Sequence, residues 1–271
     1  MARFKRSSRF RILTTILAVA VTLCLVFNLP AQVQAQLQPS SLSNRLPSQW
    51  GFRPPRGPNS GGPVNTISGG TRGDGCRLGE LPPVSLVPIS VEGQTAVSRI
   101  IQSGTTMAEY PTFYWYMPPT SASAAEFVLW DANREDVYRA QYTLAKSSDS
   151  PVGKAGIMSF SLPAFANLPP LNIGEKYHWS LTLICDAVDR SGDVYTEGDI
   201  ERVQPDPTLA GRIQQATPEE RVALFANARL WYETVEALDE LRRVRPNNPE
   251  LAEAWSKLLS SAGLLDLIAQ K

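Results

Sequence analysis

The side chains in this chain that could do chemistry are few and close together. There is one histidine, His178, and three cysteines, Cys24, Cys76 and Cys185. Five carboxylates, Asp186, Asp189, Asp193, Glu197 and Asp199, follow the histidine. Histidine triads and dyads and most zinc sites need an imidazole beside the right partners. In "YHWSLTLICD" the residues Tyr177, Trp179, Leu181, Leu183 and Cys185 alternate onto one strand face, with His178, Ser180, Thr182 and Asp186 on the other. That sets His178 away from Cys185, so it is expected as a surface or half-buried strand residue, not a catalytic group or metal ligand. The spacing of Asp186, Asp189 and Asp193 makes them a weak calcium candidate. Their spacing lacks the alternation of a helix–loop–helix calcium site, and "DRSGD" reads as a solvated turn. Together with Glu197 they are the clustered candidates for a hydrolytic carboxylate pair, which needs about 5–10 Å between the groups in a cleft. "GGTRGDGC" is glycine-rich, but no helix with Lys-Ser/Thr follows, so it is not a phosphate loop. Its Arg72-Gly73-Asp74 run is an adhesion signal only for a partner the sequence does not reveal. No cofactor is expected.

The elements that must position these residues read as strands. From Leu86 to Val203 the pattern has period two, broken by turn signals. About seven short strands fit this run, among them "PTFYWYMPP", "AEFVLWD", "DVYRAQYTL", "GIMSFSLP", "YHWSLTLICD" and "VYTEGDIERV". The expected fold class is mainly β, an antiparallel β-sandwich, with an α-helical C-terminal part. In "PTFYWYMP" the face with Phe113, Trp115 and Met117 is expected in the core. Tyr114 and Tyr116 would then point outward as candidate binding residues, able to stack on sugar rings or peptide. After "QPDP" the period becomes helical. Thr217, Pro218 and Glu220 form a capping-box start. Val235, Leu238, Leu241 and Val244 make an apolar stripe, and Leu251, Trp255, Leu258 and Leu259 precede Gly263.

The N-terminus sets the address. Arg3, Lys5, Arg6, Arg9 and Arg11 precede an apolar run from Ile12 to Phe27, and Val33 and Ala35 precede a cut before Gln36. This is the pattern of a secretory signal peptide over residues 1–35, with an uncleaved membrane anchor as the alternative. Leu23 stands before Cys24 where a lipoprotein site wants a small residue, so lipid anchoring is not expected. Cleavage removes five basic residues and no acidic ones, leaving 21 against 26 and a net charge of −5. A mildly acidic chain without a basic cluster has no footprint for nucleic acid or an anionic membrane. Residues 36–75 are rich in Pro, Gly, Ser and Asn and read as a flexible tether. The sandwich spans 76–204 and the helical part 205–271. Cys76 and Cys185 remain as an even pair, expected as one disulfide in an oxidising compartment, with two buried free thiols as the alternative.

Three resemblances extend this reading. "PLNIGEKYHWSL" resembles the corner before strand F of immunoglobulin-like and fibronectin type III domains, which implies that the Tyr177 hydroxyl bonds back to the preceding loop. Cys76 lies before the strands, so its disulfide would tie the leading segment to that strand. "LWYETVEALDELRRVRPNNP" resembles the back half of a tetratricopeptide repeat, with Trp231, Leu238 and Leu241 at its apolar positions and Thr234 in place of the usual alanine. A lone repeat is not a peptide-binding array, so a helical hairpin with an appended helix is implied. The combination of "WGFRPPRG", "GGTRGDGC", "PTFYWYMP", "YHWSLTLICD", "EGDIERV" and "LWYETVEALDELRRVRPNNPELAEAW" resembles an uncharacterised, secreted domain-of-unknown-function family of cyanobacteria. That resemblance implies an exported protein and supplies no catalytic residues. The expected function is non-catalytic, binding or structural in the cell envelope, with an envelope protein or glycan as partner. The alternative is an envelope hydrolase using Asp186, Asp189, Asp193 and Glu197.

Overall fold

The computed structural model describes residues 42–52, 76, 81–92, 99–144, 155–165 and 167–268, and nine strands lie among them, most of them alternating large apolar and polar side chains. The signal segment, Arg72-Gly73-Asp74 and most of the 36–75 stretch lie outside the described residues. The strands are β1 (Val84–Ser85), β2 (Ile89–Glu92), β3 (Arg99–Thr106), β4 (Thr112–Met117), β5 (Ala124–Trp130), β6 (Asp136–Thr143), β7 (Gly156–Ser161), β8 (Lys176–Ile184) and β9 (Val194–Arg202). A three-stranded sheet has the order β1-β4-β7, and a six-stranded sheet has the order β2-β3-β9-β8-β5-β6. The two inner faces meet in an aromatic core. Phe113 of β4 lies 4.9 Å from Phe127 of β5 and 5.4 Å from Trp179 of β8, between ring centroids. All three are fully buried. Such pairs add about 0.5–1.5 kcal/mol each beyond the area they bury.

The expected all-antiparallel arrangement holds for the smaller sheet and fails for the larger. There β3 pairs with β9 in parallel, Ser103 to Thr106 against Asp199 to Arg202. A parallel pair needs a long crossover, and the whole run from β4 to β8 supplies it. The disulfide joins Cys76 to Cys185, 109 residues apart, with Cα atoms 5.0 Å apart. It fastens the leading segment at the end of β8, as the position of Cys76 implied.

Four helices follow, α1 (Pro207–Gln215), α2 (Pro218–Asn227), α3 (Trp231–Val244) and α4 (Pro249–Ser261), then a last short turn, α5 (Leu265–Ile268). Asp206, Thr217 and Asn248 cap α1, α2 and α4, each before a proline, and Thr217 with Glu220 completes the capping box. No side chain caps α3. Its first turn is buried among the strands instead. The Trp231 indole donates to the Leu86 carbonyl at 2.8 Å. The Trp179 indole donates to the Tyr232 hydroxyl at 3.1 Å, and that hydroxyl donates to the Asp199 carbonyl at 3.2 Å. The helix also lies close on β3. A Cβ at Gly104 would meet the Tyr232 ring at 3.0 Å and the Trp231 ring at 3.1 Å, so this position has no room for a side chain. Residues Leu42–Lys271 therefore make one compact unit.

Four residues depart from the sequence expectation for a common reason, the apolar surface of the helices. Leu46, Trp50 and Phe52 lie in the stretch read as a tether, yet they are buried, with Phe52 edge-on to Trp231 at 4.8 Å. A polar average over 36–75 hides three large side chains that have an apolar surface to cover. Tyr114 was expected outward and is only 4 % exposed. The outer face of β4 is where α3 lies, with Thr112 donating to Glu236 at 2.7 Å. Burial, reinforced by the nearby Asp239 and Glu236, pushes the Tyr114 phenol pKa up. Tyr116, the other candidate binding residue, is half-buried, while Phe113, Trp115 and Met117 are in the core as expected. Tyr114→Ala is expected to cost about 3–5 kcal/mol in urea unfolding, as Trp115→Ala should, because both empty a packed aromatic site. Tyr116→Ala should cost clearly less. Equal, small costs at 114 and 116 would mean that α3 does not cover this face.

Candidate functional site

The outer face of the larger sheet gathers the chemistry. Strand pairing sets Trp130 of β5 beside His178 of β8, and His178 beside Asp199 of β9, in one row. The next row holds Val128, Ser180 and Glu197. Strict alternation keeps these residues on the face opposite Phe127 and Trp179. The His178 ring bonds at both nitrogens, Nδ1 to Asp199 Oδ1 at 2.8 Å and Nε2 to Glu197 Oε2 at 3.3 Å. The Trp130 ring stacks on it, with centroids 5.6 Å apart and planes at 27°. The bond to Asp199, then the bond to Glu197, pushes the imidazole pKa up to about 9. In return, the bond from His178 holds the Glu197 carboxyl below the usual carboxylate range. At neutral pH His178 is thus an imidazolium donating both protons. It has no lone pair to act as a general base or to ligate a metal.

Around this row the face is laced with ion pairs. Arg139 of β6 reaches Glu126 at 3.2 Å and Asp136 at 2.9 Å, and Arg190 reaches Glu126 at 3.9 Å. The row is also fixed from inside. Asp199 pairs with His178 through its side chain, while its backbone carbonyl accepts from Tyr232 of α3.

The acidic hairpin is spent on its own turns. Asp186 accepts from the Val188 and Asp189 backbone at 2.7 and 3.2 Å, and Asp189 accepts from Ser191 at 3.0 Å. Asp193 accepts from the Cys185 N–H at 2.9 Å and pairs with Arg190. The structure does not bring Asp186, Asp189 and Asp193 to a common point. Among the described residues, no group of three or more His, Cys, Asp or Glu side chains is arranged to hold a metal ion. A hollow of about 380 Å³ between α1 and α2 is lined by Arg212, Gln215 and Glu220 among others, and by none of Asp186, Asp189, Asp193 or Glu197. One more carboxylate stands apart. Glu233 in the first turn of α3 is buried, and its Oε1 accepts from the Thr106 hydroxyl at 2.6 Å and from the Met107 and Ala108 N–H groups at 2.8 and 3.0 Å. Burial pushes its pKa up despite those bonds. It acts as a latch between α3 and the end of β3.

Residues 67–271 match the family described as Domain of Unknown Function (DUF928). The chain belongs to this family. The DUF928 region holds the whole outer-face row, both disulfide cysteines and helices α1 to α5. No curated protein matches the chain significantly.

Sequence reasoning found His178, Glu197 and Asp199 but not their arrangement, and it missed Trp130, Glu126 and Arg139. The signal was present. In "AEFVLWD", alternation puts Glu126, Val128 and Trp130 on one face; what was lacking was the pairing of β5 with β8.

Because His178 is the sole histidine, its ring resonances can be followed without assignment. In the native protein they should titrate near pH 9, and in urea near 6.5. The folded-state value is raised, so the stability His178 adds is complete below about pH 6.5 and fades as pH rises through about 9. The stability gap between the wild type and His178→Gln should shrink over that window. A native titration near 6.5 would mean that the two carboxylates do not hold the ring.

Proposed function

We propose that this protein is an exported, non-catalytic binding protein of the cell envelope, and that it takes its ligand on the outer face of the six-stranded sheet. The observation that carries the reading is the partly exposed Trp130–His178 stack, with Asp199 in the same row and Glu197 in the next, both bonded to the His178 ring. A flat ring beside charged hydrogen-bonding groups suits a hydroxyl-rich ligand: the ring stacks on the C–H face of a sugar, and the carboxylates and guanidinium meet its hydroxyls. The doubly bonded imidazolium is suited to orienting such groups and unsuited to proton transfer at neutral pH.

Export is supported by the signal-like residues 1–35 and by the Cys76–Cys185 disulfide, a bond that persists in oxidising compartments. Among the described residues, no helix is long and apolar enough to cross a membrane. We read the two facing sheets as a sandwich of the immunoglobulin and fibronectin type III kind. The Tyr177 hydroxyl supports this, accepting from the Asn172 N–H at 2.9 Å and donating to Glu175 at 3.1 Å, a bond back to the loop before its strand.

The test is capture of envelope glycan, peptidoglycan and protein fractions on the mature protein, residues 36–271. Wild type should retain a glycan fraction. Trp130→Ala should lose it while melting cooperatively at nearly the same temperature, since Trp130 is not a core residue. A Trp130→Ala variant that captures as well as wild type overturns the assignment of this face.

A further inference from the structure

The two carboxylate oxygens of Glu233, 6 % exposed in the first turn of α3, are treated unequally. Oε1 accepts three hydrogen bonds, from the Thr106 hydroxyl at 2.6 Å and from the Met107 and Ala108 N–H groups at 2.8 and 3.0 Å. Oε2 is buried beside it and has no hydrogen-bond partner among the described residues. A buried carboxylate is ordinarily paired with a cation or satisfied at both oxygens. Here the donors stand on one side only.

The charged and titratable groups around it are committed elsewhere. On β9, Arg202 is the register partner of Thr106, but its guanidinium donates to the Leu171 carbonyl and pairs with Glu109 at 3.2 Å. Asp199 of the same strand turns its carboxylate to His178. In the turn before α3, the Arg229 carbonyl accepts from the Thr105 hydroxyl at 2.8 Å. On α3 itself, Glu236 accepts from Thr112 at 2.7 Å, and Tyr232 donates to the Asp199 carbonyl. Burial, with Asp199 and Glu233 adding to it, pushes the Tyr232 phenol pKa up, so Tyr232 stays a neutral donor. A charged Glu233 therefore leaves one desolvated oxygen uncompensated, which the three donors on Oε1 and the helix N-terminus offset only in part. The neutral acid keeps Oε1 as acceptor and removes the charge, and an unpaired hydroxyl costs less to bury than an unpaired charge.

We propose that Glu233 makes the junction between α3 and the end of β3 a proton-operated latch, which tightens when the carboxylate takes up a proton and loosens when it gives one up. The proton comes from solvent and rests on Oε2, the oxygen that accepts from no donor. Burial pushes the Glu233 pKa up, so as pH rises the unfolded chain releases this proton before the native one does. The stability it confers is lost from the ordinary carboxyl value of 4.5 up through the native value, and stays lower above it.

Hydrogen exchange of the Met107 and Ala108 amides tests this, because both donate to Oε1. Their protection is corrected for intrinsic exchange and read against the amide of Leu181, a fully buried residue of β8. Relative to Leu181, both should gain protection as pH falls from about 8 to about 5, by no more than about tenfold per pH unit, the slope of a single proton. Glu233→Gln keeps an acceptor oxygen and carries no charge, so it should abolish the gain. Protection that is flat in the wild type, or falls with acid, overturns the proposal. So does a gain that persists in Glu233→Gln, because another group would then hold the proton. If the variant fails to fold, the carbon-13 resonance of the Glu233 carboxyl in the wild type decides. A midpoint above 4.5 supports the latch, and one at or below 4.5 overturns it. Glycan capture is read on Trp130 and stands or falls separately.

Discussion

Burial of one helical turn holds this molecule together. Trp231, Tyr232 and Glu233 open α3 without a side-chain cap and enter the strand region directly. Each anchors a different piece of backbone: Trp231 the Leu86 carbonyl, Tyr232 the Asp199 carbonyl, and Glu233 the Met107 and Ala108 amides. A neutral hydrogen bond is worth about 1 kcal/mol net, but stranding a buried donor or acceptor costs about 1–3 kcal/mol. The turn is therefore hard to withdraw piecemeal. Its aromatic rings also complete the core, with Tyr232 5.8 Å from Phe113 and Phe52 packed on Trp231. Further along, Asp239 pairs with Arg243 at 2.6 Å, and Arg242 lies 4.3 Å over the Trp255 ring, which ties α3 to α4.

This arrangement also fixes the outer face of the larger sheet from within. β9 carries Asp199 outward to His178, while Tyr232 holds the same residue's backbone from inside. The charges on that face pair with one another, so a ligand bound there as proposed would meet fixed groups at little ordering cost. The acidic hairpin shows the same local pairing. Asp186, Asp189 and Asp193 are each committed to a backbone amide or to Arg190.

Much of this was legible in the residues. The buried face of β8, the capping box at Thr217 and the Cys76–Cys185 pair follow from alternation, local chemistry and an even thiol count. What escaped was tertiary. "RIIQSGTT" forms β3 without clear alternation, and its parallel pairing with β9 depends on residues nearly a hundred positions away. Tyr114 looked solvent-facing because strand periodicity reports two faces and cannot say that a helix will cover one. Val244 fails for a geometric reason. Steps of three residues fall about 60° short of a full turn each time, so after three steps the stripe has left the buried face, and Val244 is 75 % exposed while Leu238 is buried. The row of Trp130, His178 and Asp199 could be read only once the order of the strands was known.

If the first turn of α3 belongs to the core, the sheets and helices cannot unfold separately. Urea unfolding of the protein, followed at once by helical far-UV circular dichroism and by the near-UV signal of the packed aromatics, tests this directly. The account predicts one transition with coincident midpoints in both signals. Loss of helical signal at a lower urea concentration, with the aromatic core still intact, would contradict it.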